Sequence, residues 1–305
     1  MVEGVARALA GLVGPENVRI AEPLSRHTSF RIGGPADCFV TPRSEAQVEA
    51  VLSFCLREGI PYFILGRGSN LLVKDGGLRA VVIQLGDRFA HYRVERSSLW
   101  AQVGITLRRL ADLAASAALS GLEFAGGIPG TLGGAIVMNA GAYGGEIKDV
   151  LVEAEVLDLS AGRVERRRLT RDDLQFTYRS SLLQRRPMVV LSARFRLTPG
   201  EPGSIYARMS ELWRRRAEKQ PLELPSAGSI FKRPPGRFVG PMIQELGLPG
   251  TRVGGAEISR RHAGFIVNRG HATARDVLDL ITLIQQRVKD RFGVELEPEI
   301  RIAGD

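Results

Sequence analysis

The chain has 305 residues, 44% hydrophobic and 25% charged, a balance that supports two or three packed cores. No apolar run reaches the roughly 18 residues of a membrane-spanning helix. No basic segment leads into an apolar one near Met1, so neither a membrane span nor a secretory leader is expected and a cytoplasmic location is. The formal net charge is +9 and nearly all of the cation is arginine, the lysines being Lys74, Lys148, Lys219, Lys232 and Lys289. The clusters Arg166-Arg167-Arg168 and Arg214-Arg215-Arg216 fall in a predicted hairpin and on a predicted helix, with no stacking aromatics interleaved. A solvated basic face, or attraction of small polyanionic substrates, accounts for them better than a nucleic-acid groove. Cys38 and Cys55, with His27, His91, His262 and His271, lack metal-ligand spacing, so no metal site is predicted. Cys55 lies on the apolar face of a predicted helix and reads as a buried, inert thiol.

In chain order, Thr28 to Pro35 reads as a short strand running into a turn. Ser44 and Gln47 form a capping-box pattern for a helix with Val48, Val51, Leu52 and Cys55 on one face and Gly59 as its stop. Tyr62 to Leu65 is a buried strand opening into Gly66-Arg67-Gly68-Ser69-Asn70, and Ala80 to Ile83 is another strand, which suggests an α/β lobe. A second lobe starts near Gly86. It holds a strand from Ser98 to Val103 and a helix from Thr106 with Leu107, Leu110, Ala111 and Ala114 inward, closed by Gly121. Val150 to Leu159 and Arg163 to Leu169 form a hairpin across Ser160-Ala161-Gly162, followed by a strand from Met188 to Leu197. Pro199-Gly200-Glu201-Pro202-Gly203 marks a domain boundary. Beyond it come a helix from Ser204 with Ile205, Met209, Leu212 and Trp213 inward, a turn-rich passage from Leu224 to Pro234, and a strand from Gly264 to Asn268. Thr273 and Asp276 cap a long helix with the core stripe Val277, Leu280, Ile281, Ile284 and Val288, ending at Gly293. A closing strand covers Leu296 to Arg301.

The stretch Gly121 to Gly145, GLEFAGGIPGTLGGAIVMNAGAYGG, carries nine glycines and few polar handles beyond Thr131, Asn139 and Tyr143. Each glycine inside a helix or strand costs roughly 0.5–1 kcal/mol relative to alanine, so the density needs a reason. One reading is a series of tight turns in a β-rich core. The other is a backbone cradle for a large flat or phosphorylated ligand, since main-chain N–H groups bind anions. The Gly66 loop is neither Gly-x-Gly-x-x-Gly, because Leu71 takes the third glycine position, nor a P-loop, because no Gly-Lys-Ser/Thr occurs.

Several stretches in order, LGRGSNLLV, GLEFAGGIPGTLGGAIVMNAGAYGGEI, YRSS, SAGSIFKRP, GGAEISRRHAGFIVN and LEPEIRI, resemble those of UDP-N-acetylenolpyruvoylglucosamine reductases. The resemblance runs from about Thr28 to Ile302. It implies an α+β chain: a two-lobed vanillyl-alcohol-oxidase/PCMH-type FAD-binding fold plus a C-terminal α+β substrate-binding domain. Residues 1–85 would be the first FAD-binding lobe, with 294–305 packing back near it, 86–199 the second lobe, and 200–293 the substrate-binding domain. Between Leu197 and Ser204 there is no room for the longer branch's extra Tyr-bearing loop, so the chain resembles the shorter, type II branch.

The same resemblance implies FAD as cofactor, NADPH as hydride donor and UDP-N-acetylglucosamine enolpyruvate as substrate, with no nucleic-acid partner. FAD would lie against Gly66, Arg67, Gly68, Ser69 and Asn70 at its diphosphate. Gly127, Ile128, Pro129, Gly130, Gly133, Asn139, Ala140 and Gly141 would approach it with their backbone. Arg179 and Glu299 match the family's charge-stabilising positions and Ser229 its proton donor. Lys232 or Arg233 would supply the positive charge that makes a serine hydroxyl a usable acid. Lys219, Lys232, Arg233, Gln244 and His262 are the substrate-binding candidates. Glu257, where many relatives have Gln, and Ser180, where YRDS is commoner than YRSS, depart from the family pattern. Two other readings stand beside this one: an FAD-dependent oxidase or dehydrogenase of another alcohol or sugar, which has no use for Arg179, Ser229 and Glu299 as a set, and a basic nucleic-acid-binding protein without chemistry, which would be colourless.

Overall fold

The structure, a computed structural model, describes residues 2–305 and gathers them into two units with separate cores. The first takes residues up to Ile20, Cys38–Gly66 and Ala80–Arg216; the second takes Ala21–Asp37, Arg67–Arg79 and Ala217–Asp305. The division at Arg216 falls inside the helix Pro202–Lys219. Among the described residues no helix is long and apolar enough to cross a membrane, and no group of three or more His, Cys, Asp or Glu is arranged to hold a metal ion.

In the first unit, helix Val2–Val13 buries Ala6, Leu9 and Val13, and helix Glu45–Arg57 buries Val48, Val51, Leu52 and Cys55. The second of these starts because the Ser44 hydroxyl accepts from the Gln47 amide at 3.2 Å, while the Gln47 side chain accepts from the Arg43 amide at 2.7 Å. Gly59, at φ +63°, ends it. Burial pushes the Cys55 thiol up to about 11, so it is not a thiolate at neutral pH. Strand Tyr62–Leu65 pairs in parallel with Leu78–Gln84, Tyr62 opposite Val81. An antiparallel five-stranded sheet runs in the order Glu165–Thr170, Leu151–Asp158, Met188–Arg196, Ser98–Gln102, Tyr92–Glu95. Leu99, Ala101, Ala154, Val156, Ala193 and Phe195 of that sheet are buried, and each large side chain among them contributes about 1.5–3 kcal/mol. Its polar face is laced with ion pairs: Arg166 meets Glu45, Glu49 and Glu155, Arg167 meets Asp158 and Glu165, and Arg168 meets Glu153. This basic triplet is matched by carboxylates of its own chain.

In the second unit, helix Ala274–Phe292 buries Val277, Leu280, Ile281, Ile284 and Val288 in a core shared with the antiparallel strands Arg252–Val253, Ala256–Ile258 and Ile266–Asn268. Thr273 and Asp276 form a reciprocal capping box, and Asp75 adds a second carboxylate by accepting from the Ala274 and Arg275 amides at 2.8 and 3.1 Å. Strand Leu71–Val73 pairs in parallel with Arg301–Ala303.

Local signals mislead at five places. Thr28 to Ile32 is a closed loop rather than a strand, because the Thr28 hydroxyl donates to the Ile32 carbonyl at 2.8 Å and Arg31 sits at φ +55°. The helix begun at Thr106 ends at Ser116 and not at Gly121, turned by Ala118 at φ +57°. Within the glycine-rich stretch, Leu132–Val137 is helical despite two glycines; Gly133 has to be small, since a Cβ there would lie 3.1 Å from the Cβ of Val103. Trp213 is 45% exposed rather than inward. The closing strand is confined to Arg301–Ala303.

Candidate functional site

In the first unit the two glycine-rich loops meet. A Cβ on Gly66 would fall well under 3.0 Å from the Thr131 hydroxyl, and no side chain fits there. Thr131 is held from both sides: its backbone bridges Thr106, Leu107 N–H donates to Gly130 O at 3.1 Å, and Leu132 N–H donates to Ile105 O at 2.9 Å. Gly127 faces Arg216 and Trp213, and Gly141 faces Gly145 and Glu146. These close approaches are to protein atoms. Part of the glycine density therefore packs one loop on another, in line with the tight-turn reading of the sequence, and this leaves the cradle reading open. Room remains at Gly134 and Gly144, where a Cβ would meet nothing within 4 Å.

Asn139 is fully buried, at φ +43°, and its amide is committed to protein. Nδ2 donates to Glu146 at 3.0 Å and to the Thr177 carbonyl at 3.1 Å, while Oδ1 accepts from the Lys148 amide at 3.1 Å. Thr177 and Ser180 close a tight turn through reciprocal backbone bonds of 3.1 and 3.2 Å, with Arg179 at its tip in the left-handed region, φ +54°. Such a conformation is costly for a residue other than glycine and persists where the surroundings over-determine it. Here they do. Arg179 Nη2 donates to Gly141 O at 3.0 Å, and Gln184 Nε2 donates to the Arg179 carbonyl at 3.1 Å and to Val137 O at 2.8 Å. Ser180 serves the turn through its backbone, so the YRSS departure leaves that turn closed. Asn139 and Gln184 thereby fix the arginine; neither has a sequence signal beyond lying in or near a motif.

The second unit joins three segments that are remote in sequence. Gly68 sits at φ +59° against the His27 carbonyl, a position that demands glycine both for conformation and for space. Asn70 Nδ2 donates to the Glu299 carbonyl at 3.1 Å, and the Arg301 amide donates to Asn70 O at 2.9 Å. The Glu299 amide donates to Ile230 O at 2.7 Å, and the Lys232 amide to Glu297 O at 2.9 Å, flanking an antiparallel bridge between Phe231 and Pro298. Glu299 therefore lies opposite Ile230, the residue after Ser229. Ser229 bridges Phe265 on its other side, and Gly228 before it has φ +80°. Ser229 and Glu299 are half-buried.

His262 packs edge-on against Phe265, ring centroids 4.9 Å apart, and its Nδ1 accepts from the Gly264 amide at 3.2 Å. Burial holds its pKa below the usual imidazole value, and the positive charge of Lys219 adds to the effect. The ring is thus neutral, with the proton on Nε2. Lys232 pairs with Glu297, and Arg233 stacks its guanidinium 4.3 Å from the centroid of Phe238. Arg67 and Gln244 are exposed, and Ser69 is half-buried. Glu257, 4% exposed, is ion-paired with Arg252 and Arg269, which explains how a charged residue is tolerated there. Two buried polar atoms, Arg216 Nε and Gln220 Oε1, have no hydrogen-bond partner among the described residues. In the sequence Arg216 stands out only as one member of the basic cluster Arg214-Arg215-Arg216, and Gln220 carries no motif.

Comparison with known proteins covers nearly the whole chain. An FAD binding domain matches residues 36–167, and the C-terminal domain of UDP-N-acetylenolpyruvoylglucosamine reductase matches residues 220–303. Curated UDP-N-acetylenolpyruvoylglucosamine reductases of Syntrophomonas wolfei and Caldanaerobacter subterraneus are each 47% identical. The alignments cover 95% of this chain and 96% of the first relative, and 100% of both chains for the second. The crystal structure of UDP-N-acetylenolpyruvylglucosamine reductase from Thermus caldophilus superposes with a TM-score of 0.80 at 38% identity, covering 94% of this chain and 98% of that one.

Proposed function

The chain belongs to the UDP-N-acetylenolpyruvoylglucosamine reductase family, and from that premise we propose that it is an FAD-containing, NADPH-dependent oxidoreductase that converts UDP-N-acetylglucosamine enolpyruvate to UDP-N-acetylmuramate, a peptidoglycan precursor. The fold class supports it: an FAD-binding domain followed by the family's C-terminal domain. The observation that supports the assignment of chemistry is the backbone junction of Ile230 and Glu299, which ties the segment carrying Ser229 to the segment carrying Glu299, with Asn70 bonded to the Glu299 carbonyl.

The residues present fit FAD. The loops that would hold it, Gly66 with Gly127, Ile128, Pro129, Gly130 and Gly133, and Asn139 with Ala140 and Gly141, include close packing at Gly66 and Thr131 and open space at Gly134. Arg67, Gly68, Ser69 and Asn70 add donors for its phosphates. Held by these loops, FAD would supply hydride-transfer chemistry between NADPH and the terminal carbon of the enolpyruvyl double bond. Negative charge then gathers on the carbon α to the substrate carboxylate. Arg179, already fixed at both its guanidinium and its carbonyl, supplies a preorganised positive charge for that developing anion. Glu299 acts at the same stage. Ser229 donates its hydroxyl proton to the α-carbon. His262 offers a neutral Nε2–H donor to the substrate, and Lys219, Lys232, Arg233 and Gln244 complete the proposed substrate contacts. Residues 1–85, 86–199 and 200–293 divide these tasks as first FAD lobe, second FAD lobe and substrate domain, in a cytoplasmic enzyme.

The test separates the half-reactions. Flavin absorbance of anaerobic enzyme is followed during reduction by NADPH, then during reoxidation by the enolpyruvyl UDP-sugar. Ser229→Ala is expected to leave reduction within about twofold and to slow reoxidation by roughly 10²-fold or more, the usual worth of a positioned acid. Equal loss in both halves would remove Ser229 as the proton donor.

A further inference from the structure

Arg216 is the last of three consecutive arginines, and the only one of the three not exposed. No carboxylate pairs with it among the described residues, and its Nε is shut away from solvent without an acceptor. Arg215 beside it pairs with Glu211, so carboxylates are within reach of this helix yet Arg216 has none. A half-buried guanidinium whose Nε is shut off without a partner is costly, and a ligand anion would offset that cost. Burial lowers the pKa of Arg216, and the Tyr143 phenol raises it in part.

A side-chain-free residue and two aromatic rings neighbour this cation. Gly127 has no positive φ, so nothing in its backbone demands glycine. A Cβ there would lie 3.4 Å from Arg216 Cδ and 3.7 Å from Trp213 Cε3, so any larger side chain would lie over the arginine stem. Trp213 and Tyr143 are 45% and 42% exposed, two aromatic surfaces in the neighbourhood of a charge. We propose that Arg216 anchors the diphosphate of a nucleotide that enters past Gly127 beside Trp213. The guanidinium fork matches two oxygens of such a group, and a diphosphate brings the negative charge that Arg216 lacks. The ligand class rests on the reductase reading, in which NADPH, the UDP-sugar and FAD all carry a diphosphate. The Arg67–Asn70 loop already serves that of FAD, which favours the two exchangeable nucleotides.

The experiment compares the FAD-loaded wild type with Arg216→Met and Arg216→Lys. Calorimetric binding of UDP and of NADP⁺ is measured without turnover, FAD retained after gel filtration is read from the flavin spectrum, and melting temperature is recorded without added nucleotide. Arg216→Met should weaken UDP or NADP⁺ binding by roughly tenfold or more, with Arg216→Lys in between. It should melt at or above the wild-type temperature, since it removes a cation without a partner. Loss confined to UDP and NADP⁺ assigns the diphosphate to the exchangeable nucleotides, and loss confined to FAD retention assigns it to the cofactor. Binding and retention all within twofold of wild type would overturn the proposal, as would a melting point several degrees lower, which marks a structural residue. Because no turnover enters these readouts, they stand or fall apart from the half-reactions that test the reductase assignment.

Discussion

Gly66→Ala probes the junction on which the cofactor loops depend. The added methyl would fall on the Thr131 hydroxyl, whereas the Thr131 Cβ and Cγ2 stand at 3.5 and 3.6 Å, ordinary contact distance. Thr131 cannot swing away as a unit, because the residues on either side of it are tied to Ile105 and Leu107. Overpacking of this kind costs about 1–3 kcal/mol. Thr131→Ala removes the obstructing atom and itself loses only a small buried group, about 1 kcal/mol; its hydroxyl makes no cap bond to the following helix. Taking about 2 kcal/mol for the clash, the double variant should be no less stable than Thr131→Ala alone, a coupling of about 2 kcal/mol where independent sites would show about 0.5 or less. In melting temperature that is a loss of roughly 4–8 °C for Gly66→Ala, abolished in the Thr131→Ala background. Fluorimetric melting of the four proteins, with flavin content measured in parallel, decides it. Additive shifts would mean that Gly66 and Thr131 do not touch.

Asn139→Ala removes three hydrogen bonds from a fully buried site, and should cost about 3 kcal/mol in chemical denaturation while slowing substrate-driven reoxidation through a loosened Arg179 turn; unchanged stability would contradict the bonding described. Glu299→Gln keeps the backbone junction and removes the charge, so FAD content should hold while reoxidation falls by at least about tenfold; undiminished turnover would remove Glu299 from the chemistry. His262 has a folded-state pKa below its unfolded value of about 6.5, so the unfolded chain binds the proton more readily. The stability tied to its neutral form is complete above that unfolded value and declines as pH falls toward the folded one. His262→Gln should therefore flatten the fall in melting temperature below about pH 6.5, and parallel profiles would refute the assignment.

What could be read from sequence was whatever is decided within a few residues. The Ser44 and Thr273 caps, the Leu151–Thr170 hairpin and the stripe of helix Ala274–Phe292 follow from spacing alone, since each is satisfied by neighbours along the chain. The two glycine-rich loops were equally plain as anomalies. Their contact at Gly66 and Thr131 was not, because a missing side chain does not name the atom that replaces it. Thr28 to Ile32 has strand composition but is closed by its own threonine hydroxyl. The orientation of Arg216 is set by where a helix rests, which a run of three identical residues cannot disclose. Asn139 stands out in sequence as a polar handle near a cofactor, but its three protein partners are not legible there.

The bond from Asn70 to the Glu299 carbonyl joins positions 229 apart. A ribosome adding about 5–20 residues per second leaves the first of these waiting roughly 10–45 s for the second. Throughout that interval Leu71-Leu72-Val73, all buried once Arg301–Ala303 has docked, is an unmatched apolar edge. This short tripeptide is where a nascent chain is most exposed to wrong pairing, so holding chaperones should matter to the yield of the protein more than to its final stability.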